Sequence, residues 1–408
     1  MATTTHKHTP EITPEEREQV LASAAALAEE FDAIGQRCDA ENRFPTEMVP
    51  RYREHGLHLI AVPRRYGGRG GDIWTTSMVG RELAKGDPGI ALAFNMHQAM
   101  VGIFRGTPAL EEPMRERIMR AVADEGAILC GLFSEARAGL AGLADTVAVP
   151  DPRGGWRLSG RKNWSTLVEG SDLISLNATV TDADGRLPAD YQEHAAREAT
   201  FVFGAGTPGV SIAYTWDTLG MRATGSHTLV MEDAYVGPEA YGGNFRQGLI
   251  GEAEWAAILF GGVYLGLAEK AFAEARRSLT GKHLGATATG QDTVISELGY
   301  VQHALGRMYS TIEIAARALE TTAMTAIEDR APDVPPAVRK AHWDLAKVVA
   351  TEAAISVTDE ALRLVGGTSF RRGNVLERLF RDARAGFLHS FTTDQLYNAF
   401  GRHELGLG

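Results

Sequence analysis

The chain has few cysteines and lacks the common nucleotide-binding and metal-binding motifs. Its 408 residues include only two cysteines, Cys38 and Cys130, with neither a CxxC pair nor the Cys/His spacing of a metal site. We therefore predict a cytoplasmic protein without disulfides or a bound metal. The glycine clusters GGRGG and GLAG do not stand between a strand and a helix in a GxGxxG frame, so no nicotinamide-nucleotide domain is expected.

A signal-peptide core, a membrane-length apolar run and a surplus of basic residues are absent as well. The opening MATTTHKHTPEITPEEREQ carries no apolar h-region, and no apolar run reaches membrane-spanning length. The formal net charge of −11 argues against general nucleic-acid binding, because phosphate affinity needs clustered Lys and Arg. We expect neither a nucleic acid nor a membrane as a partner.

Hydrophobic periodicity divides the chain into three parts. Residues 1–125 repeat apolar positions every three or four residues, which predicts a helical domain. Residues 126–240 contain short β-branched and aromatic segments between Gly, Pro and Asp turns, which predicts a compact β domain. Residues 241–408 return to long helical segments typical of a bundle. The predicted fold class is mainly α with a central β domain.

Five short motifs follow one another along these parts: Phe133–Gly139, Arg161–Thr166, Gly220–Ser226, Gly366–Gly367 and Leu376–Asp382. In this order they resemble the acyl-CoA dehydrogenase superfamily over nearly the whole chain. The resemblance implies an N-terminal helical domain, a small β-barrel or sheet domain and a C-terminal four-helix bundle. It also implies a flavin bound between the β domain and the bundle.

The resemblance assigns flavin contacts to two of these motifs. A flavin needs an apolar wall for its ring, hydrogen bonds to N5 and the pyrimidine edge, and donors for its phosphates. Phe133 and Ser134 would lie along the pyrimidine side, and Trp164 would pack against the ring. Thr166, or its neighbour Ser165, would approach N5. The alternative is that both motifs are strand ends around a buried tryptophan.

A neighbouring subunit holds the adenosine diphosphate part of the flavin in the family, which implies a homotetramer. Gly366 and Gly367 would let the backbone approach the pyrophosphate closely, because glycine has no Cβ. Arg277 stands where the family places an arginine, but it could equally be a surface charge. Thr280 replaces the usual phenylalanine and Arg363 the usual glutamine, so both FMN and FAD remain open.

The closing segment RDARAGFLHS lacks the glutamate with which the family's dehydrogenases remove the α-proton of an acyl thioester. In that register the position falls on Ser390, whose hydroxyl is too weak a base. Asp394 lies one helical turn later and could replace it. Glu254 could also serve, but it adjoins the aligned Trp255 and would point about 100° away from the site. A dehydrogenase or oxidase with a displaced carboxylate is therefore the alternative function.

The Leu388–His389 pair and the GSH at 225–227 resemble the flavin monooxygenases of this fold. In that branch a histidine at this place faces the flavin and stabilises or protonates a C4a-hydroperoxide. Because histidine titrates near neutral pH, His389 is the predicted acid/base, with Ser390 beside it and His97 in support. A histidine in an apolar stretch such as that of His97 is often only a core residue.

We therefore predict a two-component flavin-dependent monooxygenase. It would take reduced flavin, as FMN or FAD, from a separate NAD(P)H-dependent flavin reductase and use O2 to oxygenate a small-molecule substrate. Four aromatic residues would make the pocket apolar, although core packing explains them equally well: Phe94, Trp255, Phe387 and Phe391. A non-catalytic flavin-binding relative is a third hypothesis.

Overall fold

The computed structural model describes residues 11–107, 110–136, 143–248, 254–286, 292–328, 336–389 and 392–407. Helices come first, strands follow and helices return, so the predicted fold class is confirmed. The N-terminal helices are α1 (Pro14–Glu41), α2 (Met48–Glu54), α3 (Ile73–Ala84), α4 (Pro88–Gly106) and α5 (Glu112–Glu125). Nearly every residue of α4 is buried, so α4 forms the centre of this part.

One mixed sheet forms the middle of the chain. Its strands are β1 (Leu129–Leu132), β2 (Val147–Pro150), β3 (Trp156–Ser165), β4 (Leu173–Val180), β5 (Glu198–Gly204), β6 (Val210–Ala213), β7 (His227–Val236) and β8 (Tyr241–Asn244). They pair in the order β6-β7-β3-β2-β4-β5-β8, with β1 parallel to β4 and the short helix α6 (Tyr191–Arg197) before β5. Ser165 of β3 pairs with His227 of β7, so the motifs at these two strand ends are neighbours.

A short helix α7 (Phe245–Gly248) leads to the C-terminal helices, which are α8 (Glu254–Leu279), α9 (Gly299–Glu328), α10 (Pro336–Val365), α11 (Val375–Ala383) and α12 (Thr393–Glu404). A hairpin of β9 (His283–Ala286) and β10 (Asp292–Val294) was not predicted. Helix α8 is long and apolar enough by composition to cross a membrane, yet 72% of its apolar stretch is buried inside the protein. It is therefore the central helix of the bundle.

Helix α11 connects the bundle to both other parts through buried charges. Arg378 and Asp87, each with only 2% of the side chain exposed, form an ion pair. The Asp87 carboxylate also caps α4 by accepting from the Ile90 N–H at 2.9 Å. Arg381 pairs with Asp39 of α1 at 2.6 Å. The LERLFRD motif therefore has a structural task, which is to join α11 to α1 and α4.

The β domain is attached to the same helix. Asp382 accepts a hydrogen bond from the Met221 N–H at 2.5 Å, and Arg381 donates to the Leu219 carbonyl at 2.9 Å. Burial, together with the nearby charge of Asp87, raises the pKa of Asp382 to about 7. A Cβ at Gly220 would overlap the Arg381 backbone, so only glycine permits this close approach.

Replacing Arg378 by leucine should lower the free energy of unfolding by about 3–5 kcal/mol, because Asp87 is then left as an uncompensated buried charge. Arg317→Leu is the matched control. Its side chain is 76% exposed and pairs with Glu313 at 3.9 Å and Glu320 at 3.8 Å, so its loss should cost less than about 1 kcal/mol. Denaturant titration of both variants measures the difference, and equal losses would contradict the structural role of the buried pair.

Candidate active site

Two of the predicted flavin motifs meet at one end of the sheet. The Asn163 N–H donates to the Ser134 carbonyl at 2.8 Å, so the loop after β1 lies against the end of β3. Phe133 packs on Phe245 with ring centroids 5.3 Å apart. The structure thus brings Phe133 and Ser134 to the strand that carries Trp164, as the resemblance implies.

A buried ion pair fixes the loop that follows Ser134. Lys162 is fully buried and donates to the Glu135 carboxylate at 2.5 Å and to Asn177 Oδ1 at 2.8 Å. Burial is the largest single influence and favours the neutral acid, but the charge of Lys162 and the hydrogen bonds from Lys162, Thr146 and the Asp145 N–H together outweigh it and lower the pKa of Glu135 below its usual value. Neither residue was assigned a task from the sequence, because the pairing depends on the fold.

Trp164 is not the buried core residue of the alternative interpretation. It is 56% exposed, and its φ of +57° lies in the left-handed region. For a bulky residue such a backbone costs on the order of 1–3 kcal/mol and is characteristic of functional sites. Among the described residues its aromatic neighbour is Trp216, edge-on with ring centroids 6.4 Å apart. The indole therefore offers an uncovered apolar surface of the kind that a ligand ring could cover.

Hydroxyl groups from two motifs meet beside this tryptophan. Thr166 Oγ1 and Ser226 Oγ are 2.8 Å apart, and Ser226 Oγ lies 2.7 Å from Thr224 Oγ1. The Ser165 hydroxyl instead points inward and donates to the Lys162 carbonyl at 3.0 Å. Thr166 and Ser165 are the two candidates for the N5 contact. Thr166 is half-buried, and its hydroxyl does not donate to a backbone carbonyl of its own strand as that of Ser165 does.

The closing turn lies in the groove between α8 and α10. Lys347 of α10 donates to the Gly386 carbonyl. The His389 ring stacks on Phe260 at 4.9 Å and an angle of 27°, and the Tyr264 ring is 5.9 Å away. His389 Nε2 and the Tyr264 hydroxyl are both buried, and neither has a hydrogen-bond partner within the described part of the chain. Sequence reasoning found His389 but missed Tyr264 and Lys347.

His389 does not titrate near neutral pH in this arrangement, contrary to the expectation from its unperturbed pKa. Burial, and then the charge of Lys347, lower the pKa of His389 to about 3. The imidazole is therefore neutral, and it offers one N–H donor and one acceptor nitrogen. Ser390 and Phe391 lie outside the described residues. Phe387, two residues before His389, is 45% exposed.

His97 is a core histidine with both ring nitrogens occupied. Its Nδ1 accepts from the Leu129 N–H at 3.0 Å, so its Nε2–H donates to the His58 carbonyl at 3.0 Å. The side chain is fully buried, and this burial lowers the pKa of His97 to about 4. The structure does not support its predicted role beside His389, because either ring nitrogen would first have to leave a backbone partner.

Two predicted pocket residues are packed into the core instead. Phe94 is fully buried and stacks on Tyr52 at 4.2 Å. Trp255 is 1% exposed and covers Gly102, where even a Cβ would overlap the indole. A cavity of about 450 Å³ lies elsewhere, between the end of α1 and the segment before β7, and its lining includes Asn42, Glu169, Trp216, Arg222 and His227.

The residues predicted to contact the adenosine diphosphate lie at the far end of the bundle. Arg277 and Arg363 are 74% and 76% exposed and pair with Glu274 and Asp359. Apart from the adjoining residues of the chain, no atom of the described residues lies within 4 Å of a Cβ placed at Gly366 or Gly367. At 1.5 Å rise per residue, Arg277 is roughly 20 Å along α8 from Tyr264. Side chains that bind the flavin of a neighbouring subunit have to be exposed on their own subunit, as these two arginines are.

The two alternative bases differ in their surroundings. Asp394 is exposed in the first turn of α12, where an acidic side chain stabilises the helix dipole. Glu254 is fully buried in the first turn of α8, beside Trp255. Of these two carboxylates, only Glu254 is shielded from solvent as a base for an acyl substrate would need to be.

Comparison with known proteins identifies the family. The model of the acyl-CoA dehydrogenase N-terminal domain matches residues 13–123, and that of the C-terminal domain matches residues 258–394. The chain belongs to the acyl-CoA dehydrogenase family. Members of this family are flavin-dependent oxidoreductases.

Similar proteins include an acyl-CoA dehydrogenase, a nitrososynthase and an FMN-bound protein. YdbM of Bacillus subtilis, described as an acyl-CoA dehydrogenase, is 28% identical over 93% of this chain and 94% of its own. The L-evernosamine nitrososynthase of a Micromonospora species is 28% identical over 97% of this chain and 92% of its own. The FMN-bound structure of TdsC from Paenibacillus sp. A11-2 has a TM-score of 0.82 at 21% identity, covering 94% and 96% of the two chains.

Replacing Tyr264 by phenylalanine should raise the free energy of unfolding of the flavin-free protein by about 1 kcal/mol, because a buried hydroxyl without a partner is removed. Tyr52→Phe is the control, since the Tyr52 hydroxyl accepts from Gln98 Nε2 at 2.7 Å and its loss should destabilise. Thermal unfolding compares the two. Destabilisation of both variants alike would show that Tyr264 has a partner after all.

Acidification should destabilise the protein below about pH 6.5. Burial lowers the pKa of His58 and His97 to about 4 and that of His389 to about 3. Unfolded histidines bind a proton near pH 6.5, so between these values the unfolded state holds more protons and is favoured as the pH falls. Urea unfolding near pH 7 and near pH 5 should show this loss, reduced in His97→Gln. An unchanged loss in the variant would refute the contribution of His97.

Proposed function

We propose that the protein is a flavin-dependent monooxygenase that receives reduced flavin from a separate NAD(P)H-dependent flavin reductase and uses O2 to oxygenate a small organic substrate. The observation that carries this proposal is the closing turn. This chain has a serine, Ser390, where a dehydrogenase has its carboxylate, and the residue before it is a neutral histidine whose buried Nε2 lacks a partner among the described residues. The likeness to nitrososynthases and to FMN-bound TdsC supports the same class of reaction.

The residues at the end of the sheet fit a flavin. The uncovered indole of Trp164 offers a wall for the ring, and Thr166 has a hydroxyl oxygen beside it. The Ser134 loop is already fixed by the Glu135–Lys162 pair, so little ordering is needed when a ligand binds. Bound reduced flavin would supply the two electrons that activate O2.

His389 would act as a neutral hydrogen-bonding group rather than as a proton shuttle at neutral pH. Phe260 and Tyr264 surround its ring and exclude water, which protects a reactive oxygen species from stray protons. Lys347 holds the turn through the Gly386 carbonyl, and burial together with the charge of Lys347 keeps the imidazole uncharged. A neutral imidazole can donate to an oxygen without adding a charge to the apolar site.

A homotetramer in the cytoplasm belongs to the same proposal. Arg277, Arg363 and the Gly366–Gly367 pair are exposed together at one end of the bundle. Leu279 at the end of α8 belongs to a small hydrophobic cluster against which Leu364 and Val365 of α10 pack, so these groups lie at the same end of the bundle. From there they could reach the phosphate part of a flavin held by an adjacent subunit. Both FMN and FAD are compatible with this arrangement.

A dehydrogenase that uses Glu254 is the second candidate, because that carboxylate is fully buried at the start of α8. Protein loaded with oxidised FAD and mixed anaerobically with a panel of acyl-CoA thioesters tests it. Bleaching of the flavin that is lost in Glu254→Gln would replace the monooxygenase proposal. Absence of bleaching across the panel is the expected result.

Replacing His389 by alanine should speed the release of hydrogen peroxide from protein loaded with reduced FMN and exposed to O2. Loss of one hydrogen bond to a charged or reactive oxygen corresponds to about a 10- to 100-fold change in rate. A peroxide-coupled assay measures the rate, and His303→Ala, which removes an exposed histidine of α9, is the matched control. Equal rates of peroxide release in wild type and His389→Ala would contradict the proposed role of His389 and would favour a protein that binds flavin without oxygenating a substrate.

A further inference from the structure

Three hydroxyl groups form a row that ends on a backbone carbonyl. Thr166 Oγ1 lies 2.8 Å from Ser226 Oγ, which lies 2.7 Å from Thr224 Oγ1. Thr224 Oγ1 in turn donates to the Met221 carbonyl at 2.8 Å. Thr224 and Ser226 are buried, with 1% and 4% of their surface exposed, so water does not compete for these contacts.

The direction of every hydrogen bond in this row follows from counting protons. A carbonyl oxygen only accepts, so the single proton of Thr224 is committed to Met221. Ser226 must then donate to Thr224, and Thr166 must donate to Ser226. If Ser226 donated to Thr166 instead, the two oxygens of Ser226 and Thr224 would face each other at 2.7 Å without a proton between them. That arrangement would lose one buried hydrogen bond.

The fold holds the end of the row in place. The Met221 N–H is bound by Asp382 of α11, and its carbonyl also accepts from the indole Nε1 of Trp216 at 3.2 Å. The carbonyl therefore cannot turn away from Thr224 without breaking contacts to two other segments. The direction of the row is built into the junction between the β domain and α11.

We infer that the Thr224–Ser226–Thr166 row makes Thr166 a hydrogen-bond acceptor toward the flavin and thereby selects reduced over oxidised flavin. This inference rests on the proposed flavin site, in which Thr166 approaches N5. In reduced flavin N5 carries a hydrogen and donates, whereas in oxidised flavin N5 has only a lone pair and accepts. Because the proton of Thr166 is already committed to Ser226, its free lone pair matches only the reduced form.

Such selectivity suits an enzyme that takes up reduced flavin from another protein. In oxidised flavin the lone pair of N5 would face the lone pair of Thr166 Oγ1, so no hydrogen bond forms and the oxidised cofactor binds less tightly. It would therefore leave the site after turnover and make room for the next reduced molecule. The hydroxyl row would thus set which redox state of the cofactor occupies the site.

The test is the ratio of the dissociation constants for oxidised and reduced FMN, measured by anaerobic titration of wild type and Ser226→Ala. In the variant, Thr166 loses its acceptor and can turn to donate to oxidised N5. Reduced FMN should bind more weakly and oxidised FMN more tightly, and the ratio should fall by about tenfold. For a two-electron couple this lowers the potential of the bound flavin by about 30 mV.

Three further variants separate this effect from a loss of structure. Ser226→Thr keeps a hydroxyl at the same place and should restore the wild-type ratio. Thr166→Val removes the acceptor and should weaken only the binding of reduced FMN. Ser171→Ala removes a β-domain hydroxyl that donates to the Val168 carbonyl at 3.0 Å, outside the row, and should change nothing.

An unchanged ratio in Ser226→Ala, or an equal loss of affinity for both redox states, would overturn the inference. Wild-type protein that binds neither FMN nor FAD in either state would overturn the proposed flavin site together with it. The titration contains no O2, so a failure of the oxygen reaction alone would reject the monooxygenase proposal and leave the inference standing.

Discussion

The buried charges of α11 are the constraint on which the rest of the structure depends. The Arg378–Asp87 and Arg381–Asp39 pairs bind this helix to α4 and α1, and Asp382 binds the loop of the β domain. Two segments leave this junction toward the candidate site. One is the closing turn with His389. The other is the loop from Met221 to Ser226, whose last residue contacts the Thr166 hydroxyl. A shift of α11 would therefore affect both groups of candidate residues.

The candidate site residues fall into a polar group and an apolar group. At the sheet, Trp164 and Thr166 belong to motifs fixed by buried polar contacts, with Lys162 behind them. In the bundle, His389 is surrounded by aromatic rings that keep it neutral. This arrangement differs from that of a dehydrogenase, which needs a charged carboxylate as its base. It suits chemistry in which a reactive oxygen must be bound without being protonated too early.

Much of the fold could be predicted because periodicity reflects burial. β3, β4, β5 and β7 have 10, 8, 7 and 10 residues and are long enough for β-branched alternation to show, which is why the segment 126–240 could be predicted as a β domain. Motif order also predicted that the segments of Ser134 and Trp164 meet. Contacts that arise only in three dimensions could not be predicted, among them the Lys162–Glu135 pair and the hydroxyl row.

The histidines show why residue type alone misleads. His97 and His389 both stand in apolar surroundings, and an unperturbed pKa suggested acid/base work for each. Both ring nitrogens of His97 are hydrogen-bonded to backbone groups, while Nε2 of His389 has no partner among the described residues. Burial makes both neutral, so what distinguishes the candidate site residue His389 from the core residue His97 is the unmet hydrogen bond.

The most direct measurement of the central claim is stopped-flow absorbance of wild-type protein, loaded with reduced FMN and mixed with O2. The account predicts a transient species whose spectrum differs from those of reduced and oxidised flavin and whose decay is slower than its formation. Return to oxidised flavin in a single phase, at the rate of free reduced FMN, would contradict it.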